Sequence, residues 1–161
     1  MITVYISLGS NIERDYHIHA AIAELRQLGD DCQISPIFEA EPVGFDGPNF
    51  YNCVVALSTS LSLEQLQQTL KSLELQYGRS PTAVKHQSRT LDLDILLYGD
   101  EVREDAPVLP RSDIFKFAFV ILPLMALCPD RTIPGDGRTV TQLWQEFDRE
   151  QALWPVEGFV I

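Results

Sequence analysis

Residues 88–100 read SRTLDLDILLYGD, and the reading of this stretch decides the fold. Alternating leucine and isoleucine predict a β-strand, yet aspartate is a poor strand former and Asp92 and Asp94 both stand inside the run. Successive strand side chains point to opposite faces, which is expected to put Leu91, Leu93, Ile95 and Leu97 against a core and the two carboxylates together on the other side. The rise of an extended chain separates the two aspartate Cα atoms by about 6.5 to 7 Å. That spacing suits convergence on a cation; it equally suits a polar strand face that simply meets water.

Outward from this strand, the elements follow from periodicity. ITVYISLGSN, residues 2–11, is a strand ending in turn and capping residues, with Gly9, Ser10 and Asn11 expected to start a helix. From Asp15 to Leu28 the apolar residues Ile18, Ala21, Ile22 and Leu25 recur at helical spacing, with Gly29 placed as a C-terminal cap. Residues 32–40 predict an edge strand broken at Pro36, residues 41–49 a loop, and residues 50–60 a full strand with Asn52 near its start. Ser62 opens a helix that Gly78 closes. Residues 79–89 have four basic residues, no acid and little periodicity, and read as a loop. The apolar stretch FKFAFVILPLMAL, residues 115–127, is assigned to a helix despite Pro123, and residues 140–147 to a short one. The order β, α, β, β, α, β predicts an α+β, ferredoxin-like βαββαβ core with C-terminal helical additions. Helices then cover one face of an antiparallel sheet, and the other face is open to ligands. One domain is expected over residues 1–161, because no repeat, linker or low-complexity run divides the chain.

Of the 161 residues, 45% are apolar and 22% charged, so the chain folds by burying a core. The net charge of −11 disfavours nucleic acid and anionic membranes as partners; an anionic nucleotide would need local arginines or a divalent metal. The first residues lack a signal-peptide pattern and no run of 18 apolar residues occurs, from which a cytoplasmic location is expected. Cys32, Cys53 and Cys128 are widely spaced and suggest neither a disulfide framework nor a zinc site. His17 and His19 are two apart and do not share a helix face.

Chemistry concentrates in a few places. Arg79 and Arg89 flank the basic loop, with Arg89 three residues before Asp92. These residues could form plain salt bridges, or could supply the hard oxygen ligands and bidentate anion donors that a Mg²⁺-bound polyphosphate requires. Asn52 is unfavourable in a strand; it is either a strand-end turn residue or an amide that pairs with the edge of a heterocycle. Phe50, Tyr51 and Phe119 could stack on such a ring or belong to the core.

Together these stretches resemble the 6-hydroxymethyl-7,8-dihydropterin pyrophosphokinase family. The likeness runs from YISLGSN through EPVGFDGPNFYNCVVALST and LELQYGR to SRTLDLDILLYG and FVILPL, with RTLDLDI the specific part. The resemblance implies transfer of pyrophosphate from ATP to a pterin alcohol in folate biosynthesis, on small-molecule substrates and by a monomer. It implies that Asp92 and Asp94 hold two Mg²⁺ ions, and that Arg79 and Arg89 contact phosphate and stabilise charge. Asn52 would hydrogen-bond the pterin, Phe50 and Phe119 would sandwich it, and Val43 and Gly44 would line its pocket. Glu74, Ile95 and Arg111 would lie towards the nucleotide.

Some positions depart from the family pattern. Arg111 stands where histidine is usual, Gln87 where a small residue is usual, His86 replaces a frequent tryptophan, and Glu41 precedes Pro42 in place of an uncharged residue. The metal carboxylates and both arginines are intact. A relative that binds pterin or nucleotide without turnover is the alternative, and a ferredoxin-like RNA binder is a third reading, opposed by the acidic balance and the missing RNP motif.

Overall fold

The computed structural model of the protein describes residues 1–78, 90–147 and 150–161. Strand β1 (Ile2–Ser10) is followed by α1 (Arg14–Arg26), β2 (Asp30–Ile34), β3 (Phe38–Ala40), β4 (Phe50–Thr59), α2 (Leu63–Gln76) and β5 (Asp92–Tyr98). A 3₁₀ turn (Ser112–Phe115) leads into α3 (Ala118–Leu127), α4 (Val140–Gln145) and β6 (Leu153–Pro155). The strands form one antiparallel sheet in the order β5-β1-β4-β3-β6, with β2 also paired to β4. This is the expected α+β, ferredoxin-like arrangement. Among the described residues, no helix is long and apolar enough to cross a membrane.

The predicted break at Pro36 is real: β2 and β3 are two separate pieces along the same side of β4, and β6 pairs with the outer side of β3. Ser35 covers the gap, its backbone N–H donating to Val54 O and its hydroxyl accepting from Val54 N–H, both at 2.9 Å. Ser62 caps α2 through a full capping box with Gln65. On the helix face of the sheet, Ile18, Ile22 and Leu25 of α1 and Leu66, Leu70 and Leu73 of α2 meet Val4, Ile6, Leu8, Leu93 and Ile95 in one core.

The opposite face is not wholly open, which corrects the expectation from sequence. There α3 and α4 bring Val120, Ile121, Leu124, Val140 and Leu143 onto Tyr5, Val54, Leu96 and Leu97 in a second core. Leu97 therefore lies on the face opposite Leu93 and Ile95, contrary to strict alternation. Tyr5 pairs with Leu97 and Ile6 with Ile95, so Leu96 is an extra residue, and the resulting bulge flips the phase of everything after it. Tyr98 thereby returns to the helix face, where its hydroxyl donates to Leu61 O at 2.6 Å.

Two terminal assignments also change. The N-cap of α1 is Glu13, with φ +42° and no side-chain cap. Ser10 instead ends β1, while Asn11 donates from Nδ2 to Pro48 O at 3.0 Å. Gly29 is not a left-handed cap. A Cβ there would sit 2.0 Å from Ser58 O and 2.7 Å from Leu57 Cδ1, so the position needs glycine for close approach to β4. Strand β6 is an element that no sequence pattern predicts. Gly29→Ala is expected to destabilise the protein by about 1–3 kcal/mol through overpacking against backbone; urea unfolding would show this as a lowered midpoint, and an unchanged midpoint would contradict the close approach.

Candidate active site

The site begins with register. Gly9 of β1 pairs with Asn52 of β4 on one side and with Asp92 of β5 on the other. Directly paired residues project to the same face, so Asp92, Gly9 and Asn52 form one row. Asp94, Ser7 and Val54 form the next. The first row is the floor of a cleft of about 350 Å³ beyond the end of the α3 and α4 cover. One wall comes from the loop after β3, with Val43, Phe45 and the nearby Phe50; the other comes from Arg111, Phe117 and Phe119. Gly9 keeps the floor low, since a Cβ there would lie 3.1 Å from Asn52 Oδ1 and 3.8 Å from Phe50 Cδ2, on the side where the ligand space lies.

Asn52 is only 6% exposed, and its Nδ2 has no hydrogen-bond partner among the described residues. A buried amide donor left unsatisfied costs about 1–3 kcal/mol, so this group is available to a ligand in the cleft. Around it, Phe45 and Phe50 meet edge to face at 6.2 Å, and Phe117 and Phe119 stack at 4.9 Å with planes 17° apart. A small apolar cleft with a planar donor in its floor and aromatic rings on both walls fits a flat, hydrogen-bonding heterocycle.

At the β5 end the charges crowd. The Asp94 carboxyl is pushed up to about 8, chiefly by burial and then by Asp92, with Glu74 and Asp113 adding and Arg111 opposing. Although 24% of its side-chain surface remains open to the cleft, its acidic neighbours push in the same direction as burial. Arg111 reaches Asp94 Oδ1 from Nη2 at 3.4 Å and donates from Nε to Asp113 Oδ2 at 3.1 Å. Its backbone N–H donates to Leu96 O at 3.0 Å, which fixes the arginine's loop to the bulge. Glu74 comes from α2, where its Oε2 accepts from Leu93 N–H at 2.8 Å. Among the described residues no group of three or more His, Cys, Asp or Glu side chains is disposed to hold a metal. The pair Asp92 and Asp94 nonetheless fits a hard divalent cation that takes its remaining oxygens from water or a polyphosphate, the usual habit of Mg²⁺.

Most residues singled out from the sequence meet in this cleft: Val43, Phe50, Asn52, Asp92, Asp94, Arg111, Phe119 and the divergent Glu41 all line it. Gly44 is exposed, with φ +85°, and turns the loop between Val43 and Phe45. Ile95 is buried in the helix-face core, away from the cleft, so a ligand contact at that position falls to its main chain. Glu74 lies behind β5. Arg79, His86, Gln87 and Arg89 lie outside the described residues. Sequence reasoning misses Gly9, Phe45, Phe117 and Asp113 as cleft residues. The first reads as a turn, and the aromatic at 45 carries a signal only through its place in a loop rich in Gly and Pro.

Comparison with known proteins shows the family of the chain. The family model for 7,8-dihydro-6-hydroxymethylpterin-pyrophosphokinase matches residues 5–129. The chain belongs to this family. A 2-amino-4-hydroxy-6-hydroxymethyldihydropteridine pyrophosphokinase of Haemophilus influenzae is 35% identical over 152 residues, covering 91% of this chain and 94% of the relative. The same-named protein of Pseudomonas aeruginosa is 39% identical over 146 residues, covering 87% and 88%. A crystal structure of Plasmodium falciparum HPPK-DHPS shares the fold, with a TM-score of 0.67 at 13% identity; the match covers 91% of this chain and 43% of that one. The family model ends before α4 and β6, whereas the Haemophilus influenzae relative covers more of the chain than the model does.

The raised Asp94 has a thermodynamic consequence. The carboxyl titrates near 3.8 when unperturbed and near 8 in the fold, so between these values the native state holds a proton that the unfolded chain has lost. Its stabilising contribution is full below the lower value and is lost as pH rises towards the upper one. Melting temperatures of the ligand-free protein should therefore fall from pH 6 to pH 9, and Asp94→Asn should flatten that slope; an identical slope in the variant would contradict the assignment.

Proposed function

We propose that the chain transfers the pyrophosphate of ATP to the hydroxyl of 6-hydroxymethyl-7,8-dihydropterin, giving AMP and the pterin diphosphate for folate biosynthesis. The observation that carries this reading is the orphaned Asn52 amide in the same floor row as Asp92, one strand apart from it across a glycine. A single cleft thus offers a heterocycle reader at one end and a carboxylate pair for a cation-bound polyphosphate at the other.

In this reading Asn52 hydrogen-bonds the edge of the pterin and corrects its own unsatisfied donor. Phe50 and Phe119, with Phe45 and Phe117 behind them, hold the ring flat, while the main chain around Val43 and Gly44 closes the rim. Asp92 and Asp94 would hold Mg²⁺, two ions being expected, and the metal would supply positive charge to offset that of the triphosphate. Arg111, now held by Asp94 and Asp113, is placed to exchange a carboxylate partner for a phosphate, and Arg79 and Arg89 supply further positive charge. Ile95 lies towards the nucleotide by its main chain, and Glu74 supports the β5 edge from which the carboxylates project. The pterin hydroxyl attacks in line and AMP departs, with no covalent enzyme intermediate, because this chemistry rests on positioning and charge neutralisation. We further infer that the chain acts as a monomer and a single domain over residues 1–161, in the cytoplasm, on small molecules and not on nucleic acid.

The direct test mixes protein, Mg²⁺, ATP and the pterin alcohol and measures AMP; tight binding of both substrates with no AMP would instead support a silent relative. Asp92→Asn and Asp94→Asn should each reduce turnover on the order of a hundredfold. Wild-type rates in both would remove the metal assignment. Asn52→Leu should weaken pterin binding by about ten- to a hundredfold while leaving the ligand-free protein as stable or more so, because it deletes a buried donor that has no partner among the described residues. Binding titration and thermal melting check the two arms, and a variant with normal pterin affinity would contradict the role of Asn52.

A further inference from the structure

The two aromatic walls of the cleft belong to segments far apart in the chain, and a feature beyond the residues the family model matches joins them. Helix α3, which carries Phe119 in its first turn, has Phe117 at its N-cap with no side-chain cap. The first N–H groups of a helix need partners from elsewhere. Gln151 provides one from 33 residues away: its Oε1 accepts from Ala118 N–H at 2.8 Å and its Nε2 donates to Lys116 O at 2.9 Å. The two bonds fix the orientation of the amide, since only the oxygen can accept and only the nitrogen can donate. Two residues later β6 begins, with Leu153 paired to Ala40, Trp154 to Glu39 and Pro155 to Phe38. Val156 N–H adds a bond to Ile37 O at 2.8 Å. Ala40 leads directly into Glu41–Phe45, the other wall. Behind the cleft a second cavity of about 250 Å³ lies between Pro42, Val43 and Phe119 on one side and Gln151 and Ala152 on the other.

We propose that Gln151 is a positioning residue for the heterocycle. By tying the start of α3 to the strand that also holds the 41–45 loop, its amide sets the gap between the aromatic walls. A flat ring is sensitive to that gap, because stacking on both faces requires a fixed separation. The inference rests on the pterin reading for its ligand and on geometry alone for the clasp.

The test compares Gln151→Ala and Gln151→Glu with the wild type. Hydrogen exchange of the ligand-free proteins reads the clasp without any substrate: residues 40–45 and 117–121 should both exchange faster in Gln151→Ala. Equilibrium binding of the pterin alcohol, followed by its fluorescence, should weaken about five- to tenfold, the size of one or two neutral hydrogen bonds. The KM for ATP should stay within twofold and kcat should change less than the pterin KM. Gln151→Glu keeps the acceptor for Ala118 N–H, favourable at a helix N-terminus, and should recover part of the pterin affinity. Unchanged exchange in either wall overturns the proposal, as does equal loss for pterin and ATP in step with a lowered melting temperature. If the wild type binds no pterin, the functional reading fails on that result, while the exchange arm still decides whether Gln151 joins the walls.

Discussion

The site depends on the pairing of β1 between β4 and β5. Gly9 is the shared partner of Asn52 and Asp92, and this one register brings an amide from one hairpin and a carboxylate from a distant strand into a single row. A one-residue slip of either neighbour would send its functional side chain into the helix-face core. The apolar residues that alternate with them, Leu8, Leu93 and Cys53, prevent that slip by being buried on the other side. Hydrophobic burial thus sets where the polar chemistry stands.

The cleft residues are held in states the isolated polypeptide does not favour. Asn52 has a donor without a partner among the described residues, and the Asp94 carboxyl is forced towards protonation by burial and by its acidic neighbours. Arg111 relieves the crowd only in part, from 3.4 Å, and shares itself with Asp113. Such local conflict within an otherwise consistent fold is expected where ligands complete the structure. The chain's net charge of −11 adds to this crowding, because carboxylates spread over the rest of the molecule also repel negative charge at the cleft.

Much of this architecture is legible in the amino-acid sequence. The DxD alternation, the Pro36 break, the Ser62 cap and the apolar face of α1 are local patterns, each decided within a few residues. The same locality makes Asp92, Asp94 and Asn52 conspicuous, because each is a residue its own strand would not choose. What is not legible is non-local. The bulge that moves Leu97 to the second core arises from pairing with Tyr5 and Ile6, about ninety positions away in sequence. Gly29 has the local pattern of a helix cap because the carbonyl of Ser58 that excludes a side chain there lies on another element. Strand β6 is three residues long and has no pattern of its own; only its partner β3 defines it. Gly9 reads as a turn because nothing in its neighbourhood shows that two strands flank it.

The central glycine also makes the sheet into a gauge. Neighbouring strands are about 4.8 Å apart, so the columns holding Asn52 and Asp92 stand roughly 9.5 Å from one another whatever side chains occupy them. Under the proposed reading, a fused bicycle read at its far edge by the amide extends its short alcohol arm towards the carboxylates. A one-ring analogue would fall short of the phosphate, and a longer arm would overrun it. Substrate length is then measured by backbone hydrogen bonds, the part of the molecule that point mutation alters least.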